Sequence, residues 1–449
     1  MNSLLQSLFF TNAYRKAVYQ IPTENDTPDS VPLALQRVFY LLQTSELPVS
    51  TTDLTRSFGW TSLDSFLQHD VQEFNRVLQD KLEMKMKGTK ADGAIKDLFS
   101  GRMKSYIKCI NVEYESSRSE EFYDIQLNVK GMKNLEAAFK DYIAEETLEG
   151  ENRYQAEGYG LQDAKKGVIF QHFPPVLHLQ LKRFEYDFMR DVNVKINDRY
   201  EFPLEIDLAP FLDPETTARN ENWNYKLHGV LVHSGDVHGG HYFVLIKPTP
   251  DGKWFKLDDD RVIPVLEKEV LEDNFGGEGK FNGINQPANK QQAKIANKRI
   301  NNAYMLVYIR EERLQEVLQP IGEADTPPHL RYRLEKEKKD AEAKRREREE
   351  QHLYLTAKVI TDETFKKHQG FDLANFDERN AAIPMAPVTS YRVPKNQPFV
   401  EFKAQICQEN NLNPEEVRLW VLVNRQNKTV RPDAVVPEDD PTLSEPIFF

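Results

Sequence analysis

The sequence predicts an α+β protein of more than one domain, and three observations carry that expectation. Helix periodicity fills the first hundred residues, and strand alternation takes over beyond Lys108. A dense run of charge from Arg331 to Glu350 then sets off a smaller segment of the same mixed character. At 449 residues the length corresponds to about three domains with real cores.

In the first segment Leu4, Leu5, Leu8 and Phe9 mark one helix stripe. Phe66, Val71, Phe74, Val77 and Leu78 mark another, which puts Asp70 and Glu73 together on a different face. Strands are expected at Ile107–Tyr114, Phe122–Val129, Val176–Phe184, Leu227–His233, His241–Lys247, Trp254–Leu257 and Ala303–Ile309. Within Leu177–Lys182 the leucines alternate with His178, Gln180 and Lys182, so the leucines are expected inward and the polar residues outward.

Sixteen of the twenty residues from Arg331 to Glu350 are charged, nine basic and seven acidic. Glu335–Lys339, Asp340–Lys344 and Glu342–Arg346 stand four apart in the acid-first order that supports a helix, and Pro327-Pro328 mark its start. Residues 311–352 therefore read as a charged helical connector. The interleaved acids weaken the alternative of a nuclear-targeting patch around Lys344-Arg345-Arg346. Beyond it, Leu353–Thr361 alternates as a strand, and Phe399, Phe402, Ile406 and Cys407 share one helix face. Val417–Val423 is then rich in strand formers. Residues 353–449 read as a small α/β roll, and the apolar end Pro446-Ile447-Phe448-Phe449 suggests a unit cut short.

A net charge of −12 and a pI near 5.5 argue against coating nucleic acid. No window approaches the ~18–20 apolar residues of a spanning helix. The apolar run at residues 4–10 lacks a basic lead and a cleavage site, so it reads as a helix face and not a signal peptide. Two cysteines, Cys109 and Cys407, make neither a disulfide framework nor a four-cysteine zinc site, and point to a reducing compartment, cytoplasm or nucleus.

The densest cluster of chemical side chains is His233-Ser-Gly-Asp-Val-His238-Gly-Gly-His241. Two readings compete. His233, His238 and His241 could ligate a metal as the centre of a metallohydrolase. Alternatively, His241 alone is a base held by an acid. Hairpin arithmetic favours the second. If Ile246 pairs with Lys253 across the turn-rich Lys247–Gly252, His241 stands opposite Asp258, while a slip of one offers Asp259. A dyad needs a nucleophile, and neither Cys109, within a strand, nor Cys407, on an apolar helix face, starts a helix where its thiol would be activated.

At this point the sequence resembles the ubiquitin-specific protease family of thiol hydrolases, most closely its herpesvirus-associated branch and the fungal counterparts. The motifs are Met1-Asn-Ser-Leu-Leu-Gln, Gln68-His-Asp-Val-Gln-Glu-Phe74, Leu177-His-Leu-Gln-Leu-Lys-Arg-Phe184, Gly239-Gly-His-Tyr242, Leu257-Asp-Asp-Asp260 and Ala303-Tyr-Met-Leu-Val-Tyr-Ile-Arg310. The resemblance implies a papain-like catalytic domain over 1–310, with thumb, palm and fingers, followed after the connector by a ubiquitin-like β-grasp domain. It implies His241 as general base, Asp258 as its orienting acid and Asp259 assisting. Asp70 and Gln72 would bind the arginine-bearing ubiquitin tail, with Phe184, Tyr186, His238 and Tyr242 lining its channel. The partners implied are ubiquitin and ubiquitinated proteins. No cofactor is expected, no zinc, and neither nucleic acid nor membrane as partner.

The family's nucleophile box reads Gly-Leu-x-Asn-x-Gly-Ala-Thr-Cys-Tyr-Met-Asn-Ser, and this sequence starts at that Met. The expectation is a cysteine-type deubiquitinase whose thiol lies upstream, so that residues 1–449 alone do not hydrolyse. The alternative is a catalytically dead ubiquitin-binding pseudoenzyme.

Overall fold

The computed structural model describes residues 1–59, 71–217, 221–237, 239–277, 301–367, 388–425 and 430–438. The chain divides into two compact units, Met1–Arg331 and Tyr332–Phe449. Among the described residues no helix is long and apolar enough to cross a membrane.

The first unit opens with helices α1 (Asn2–Phe10), α2 (Asn12–Tyr19), α3 (Val31–Thr44), α4 (Thr52–Ser57), α5 (Val71–Met86) and α6 (Ala94–Phe99). Local chemistry sets their ends. Ser30 accepts a hydrogen bond from the Leu33 amide at the start of α3, where Pro32 costs no helical bond. Leu4, Leu5, Leu8 and Phe9 are all buried, as their spacing requires. Of the α5 stripe, Val71, Phe74 and Leu78 are buried but Val77 is 37% exposed. Phe66 lies outside the described residues.

Strands β1 (Gly101–Cys109), β2 (Glu115–Phe122) and β3 (Ile125–Asn128) follow, then α7 (Leu135–Tyr142), β4 (Glu146–Leu148), β5 (Tyr154–Ala156), β6 (Gly160–Gln162) and β7 (Ala164–His172). The sequence expectations at 107–114 and 122–129 were displaced. The chain turns at 110–114, with the Cys109 amide bonded to the Tyr114 carbonyl, and Phe122 ends one strand before Ile125 starts another. Strands β2, β1, β7 and β4 form an antiparallel sheet in that order, with exposed β2 at its edge.

The remaining strands are β8 (Val176–Lys182), β9 (Phe184–Asp187), β10 (Val192–Lys195), β11 (Glu205–Asp207), β12 (Asn224–Asp236), β13 (Gly239–Ile246), β14 (Trp254–Asp258), β15 (Arg261–Val265) and β16 (Asn301–Arg310). The central sheet runs β15-β14-β13-β12-β16-β8-β3, with β11 paired to β12, and β9 and β10 make a hairpin of their own. Leu231, Val244, Ile246, Leu257, Met305 and Val307 pack toward the helices, while Val230, Val232, Phe243, Leu245, Leu306 and Tyr308 face a second core shared with α7. A core on each face corrects the reading of β8. His178 and Gln180 are not outward but 2% and 7% exposed, because the face opposite the leucines is covered too. His178 stacks on Phe99 at 4.9 Å, and the Gln180 amide donates to the Tyr304 hydroxyl.

In the second unit strands Tyr354–Val359 and Thr389–Pro394 pair antiparallel, as do Trp420–Asn424 and Val430–Val435. Helix Phe399–Glu409 packs Phe399, Phe402 and Ile406 against Leu355, Ala357, Val359, Tyr391 and Val393. Cys407 is fully buried on that face. The charged run lies in helix Pro328–Gln351, exposed along nearly its whole length. The apolar end 446–449 lies outside the described residues.

Candidate active site

The site is built where β12 and β14 end and β13 begins, beside the start of α1. The β12–β13 ladder closes tightly, pairing His233 with Tyr242, Ser234 with His241 and Asp236 with Gly239. Gly240 is required there, since a Cβ would meet His233 Nε2 at 2.0 Å and the Ser234 carbonyl at 2.9 Å.

The β13–β14 register departs from the arithmetic expectation by two residues. Ile246 pairs with Phe255, not Lys253, because the connection contains a turn closed by the Gly252 amide on the Thr249 carbonyl. A shift of two keeps every side chain on its face, so His241 and Asp258 meet as diagonal neighbours and not as a direct pair. His241 Nε2 lies 2.5 Å from Asp258 Oδ1, and Lys256 Nζ lies 2.9 Å from the other carboxylate oxygen. Partial burial works to raise the Asp258 carboxyl, but the hydrogen bonds from Lys256 and His241 outweigh it and hold it below the usual range.

Asp259 turns with φ +50° and is tied to α1 twice. Asn2 Nδ2 donates to its carboxylate at 2.8 Å, and Gln6 Nε2 donates to its carbonyl at 3.0 Å. Donor atoms of His241, Asp258 and Asp259 lie within 4.8 Å of one another, and among the described residues this is the one group of its kind. Its oxygens, however, already face Lys256, His241 and Asn2. The pleat also separates the histidines of the metal reading. His233 shares a face with Tyr242, so His241, one residue on, looks the other way.

His233 is buried, and burial pushes its imidazole down to about 4, aided by nearby Lys195. Its ring meets Tyr242 at 4.8 Å and Phe184 at 5.2 Å, while Tyr304 stands 5.8 Å from Tyr242 and 6.0 Å from Phe184. Phe184 and Tyr242 are thus brought together, joined by Tyr304 and His233, which the sequence had not placed in this role. Tyr186 is exposed on the β9–β10 hairpin, its hydroxyl bonded to Asp191 and its ring 5.1 Å from Phe188. Gln72 is engaged near β3, donating to Asp124 at 2.5 Å and accepting from Gln126 at 2.9 Å. Asp70 and His238 lie outside the described residues.

Two buried cations also escaped the sequence reading. Arg183 is fully buried and donates to the carbonyls of Ala303, Ile196, Asp198 and Phe275 at 2.6–3.2 Å, with burial lowering its guanidinium to about 10. Lys195 is the other. Their partners are main-chain carbonyls, which leave no mark in a sequence.

A histidine held against a carboxylate, as His241 is by Asp258, is an arrangement suited to acid–base chemistry. Residues 1–308 match the family described as ubiquitin carboxyl-terminal hydrolase, and the chain belongs to that family of deubiquitinating cysteine proteases. It is 55% identical over 446 residues to ubiquitin carboxyl-terminal hydrolase 15 of Schizosaccharomyces pombe, covering 99% of this chain and 38% of that protein. Ubiquitin C-terminal hydrolase 12 of Arabidopsis thaliana is 49% identical over 451 residues, covering 98% of this chain and 39% of that protein. Ubiquitin carboxyl-terminal hydrolase 7 of Drosophila melanogaster is 47% identical over 449 residues, covering 99% and 38%. The chain spans about two fifths of the length of these curated relatives.

Proposed function

We propose that this chain is the acid–base and ubiquitin-gripping part of a cysteine-type deubiquitinase acting on ubiquitinated proteins inside the cell, in cytoplasm or nucleus. His241 is the general base, Asp258 sets its tautomer and orientation, and Asp259 braces the turn against α1. The observation that carries this reading is the 2.5 Å contact between His241 and Asp258 in a chain of this family. Helices α1–α6 serve as thumb, the central sheet as palm and the β2-β1-β7-β4 sheet as fingers. The extended tail of ubiquitin lies along Phe184, Tyr186, His238 and Tyr242, and its arginines meet Asp70 and Gln72. The second unit is a ubiquitin-like β-grasp domain joined through the connector. The reading needs no cofactor and no zinc.

The nucleophile is a thiol two positions upstream of Met1, carried at the start of the helix that α1 continues, where the helix dipole and His241 favour thiolate. Cys109 and Cys407 are buried in cores of their own. Residues 1–449 alone therefore bind ubiquitin without cleaving it, which is also the behaviour of the pseudoenzyme reading. Calorimetry of the chain with ubiquitin, and turnover of a ubiquitin fusion by a version extended through the thiol-bearing box, test the two parts. Binding by the first and hydrolysis by the second are expected. A chain that does not bind ubiquitin sinks both readings, and an extended version that binds but stays inert leaves only the pseudoenzyme.

A further inference from the structure

Lys195 closes β10, paired with Phe184 across the β9–β10 hairpin. It is only 9% exposed, and Nζ donates to the carbonyls of Gly235 at 2.8 Å and His233 at 3.2 Å. Those carbonyls flank Ser234, whose partner across the ladder is His241. The φ of +115° at Gly235 turns the chain there. Among the described residues the β9–β10 hairpin belongs to no larger sheet. It meets β12 through the Phe184–His233 ring contact and this ammonium. Burial, with Arg183 adding to it and Asp236 opposing it, pushes the lysine down to about 8. The site is thus costly for a cation, and a lysine is suited to it because one head can serve two carbonyls from a flexible stem.

We propose that Lys195 is a positioning residue: it staples the hairpin carrying Phe184 and Tyr186 to the strand pair carrying His241 and Tyr242, fixing the width of the channel that takes an extended peptide tail. The identity of that tail rests on the function proposed above. The staple itself does not.

Hydrogen–deuterium exchange of the full chain, alongside affinity for ubiquitin, tests the proposal. Lys195→Met is expected to speed exchange in residues 184–195 and 230–246 by about tenfold or more, the scale of a lost charge-assisted pair of bonds, while the β1–β7 sheet stays protected. Affinity for whole ubiquitin should fall by about tenfold, and affinity for ubiquitin trimmed of its terminal Gly-Gly and the arginines before it should not change. Lys195→Gln, which keeps an uncharged amide N–H2 on a shorter arm, should fall between and serves if the methionine variant does not fold. Unchanged exchange in both hairpins overturns the proposal. So does loosening spread evenly over the first unit, or an equal loss of affinity for whole and trimmed ubiquitin. If the wild-type chain binds no ubiquitin, the functional reading fails, and the exchange measurement still decides the role of Lys195.

Discussion

Acidification should unfold the first unit through two histidines that have nothing to do with catalysis. His178 and His228 are each 2% exposed, and burial pushes each down to about 4 from the ordinary 6.5; at His228 a hydrogen bond with the Lys247 backbone opposes this and the nearby His178 adds to it. Between those values the unfolded chain binds protons that the folded one refuses, so stability is fully present above pH 6.5 and drains away as pH falls toward 4. The full penalty is about 3.4 kcal/mol per histidine, of which about 2 kcal/mol is already lost at pH 5. For the pair this makes about 4 kcal/mol between pH 7 and pH 5, a large share of the usual total of about 5–15 kcal/mol. Urea unfolding followed by tryptophan fluorescence is well matched to the question. Trp223 and Trp254 are buried in the first unit, whereas Trp420 in the second is 47% exposed. The double variant His178→Asn/His228→Asn should keep only the shallower slope left by His233 and His172, both of which burial also lowers. A wild-type loss below about 1 kcal/mol, or an equal loss in the double variant, would refute the reasoning.

Asp258→Asn, in a version carrying the upstream thiol, should lower turnover of a ubiquitin fusion by about 10³-fold or more, because the amide holds the imidazole in the wrong tautomer. A rate within tenfold of wild type would remove Asp258 from its role. Arg183→Met strips donors from four carbonyls, those of Ala303 and Phe275 buried, and should cost about 3 kcal/mol, read from the urea midpoint. Gly240→Ala drives a Cβ into His233 and the Ser234 carbonyl. It should both destabilise the first unit and weaken ubiquitin binding, whereas a variant with wild-type melting and affinity would show the hairpin to be looser than described.

The parts of the fold that follow from a period were legible, and the parts that follow from a partner were not. His241 and Asp258 meet despite a register two residues off, because side-chain direction repeats every two residues and the error preserved it. His178 and Gln180 were misread because alternation shows which residues share a face, not whether that face is covered, and here α6 brings Phe99 onto it. Nothing in the sequence marks Arg183 and Lys195 as buried. Only the folded chain reveals that backbone carbonyls from distant segments converge on them. Asn2 and Gln6 stood out only as letters of the Met1-Asn-Ser-Leu-Leu-Gln motif, with no sign that they tie the turn at Asp259 to the first helix.

The outermost strand of the smaller sheet, β2, reads Glu-Ser-Ser-Arg-Ser-Glu-Glu-Phe and is exposed over almost its whole length. A bare strand edge is a template on which a second molecule can add its own backbone, and hydrophobic edges seed fibres. Here Glu115, Arg118, Glu120 and Glu121 would set like charges against one another in any copy that docked in the same register. At the opposite edge β4 is only three residues long, too short to recruit a neighbour. The sheet can therefore leave both its edges bare without gluing to a second copy of itself.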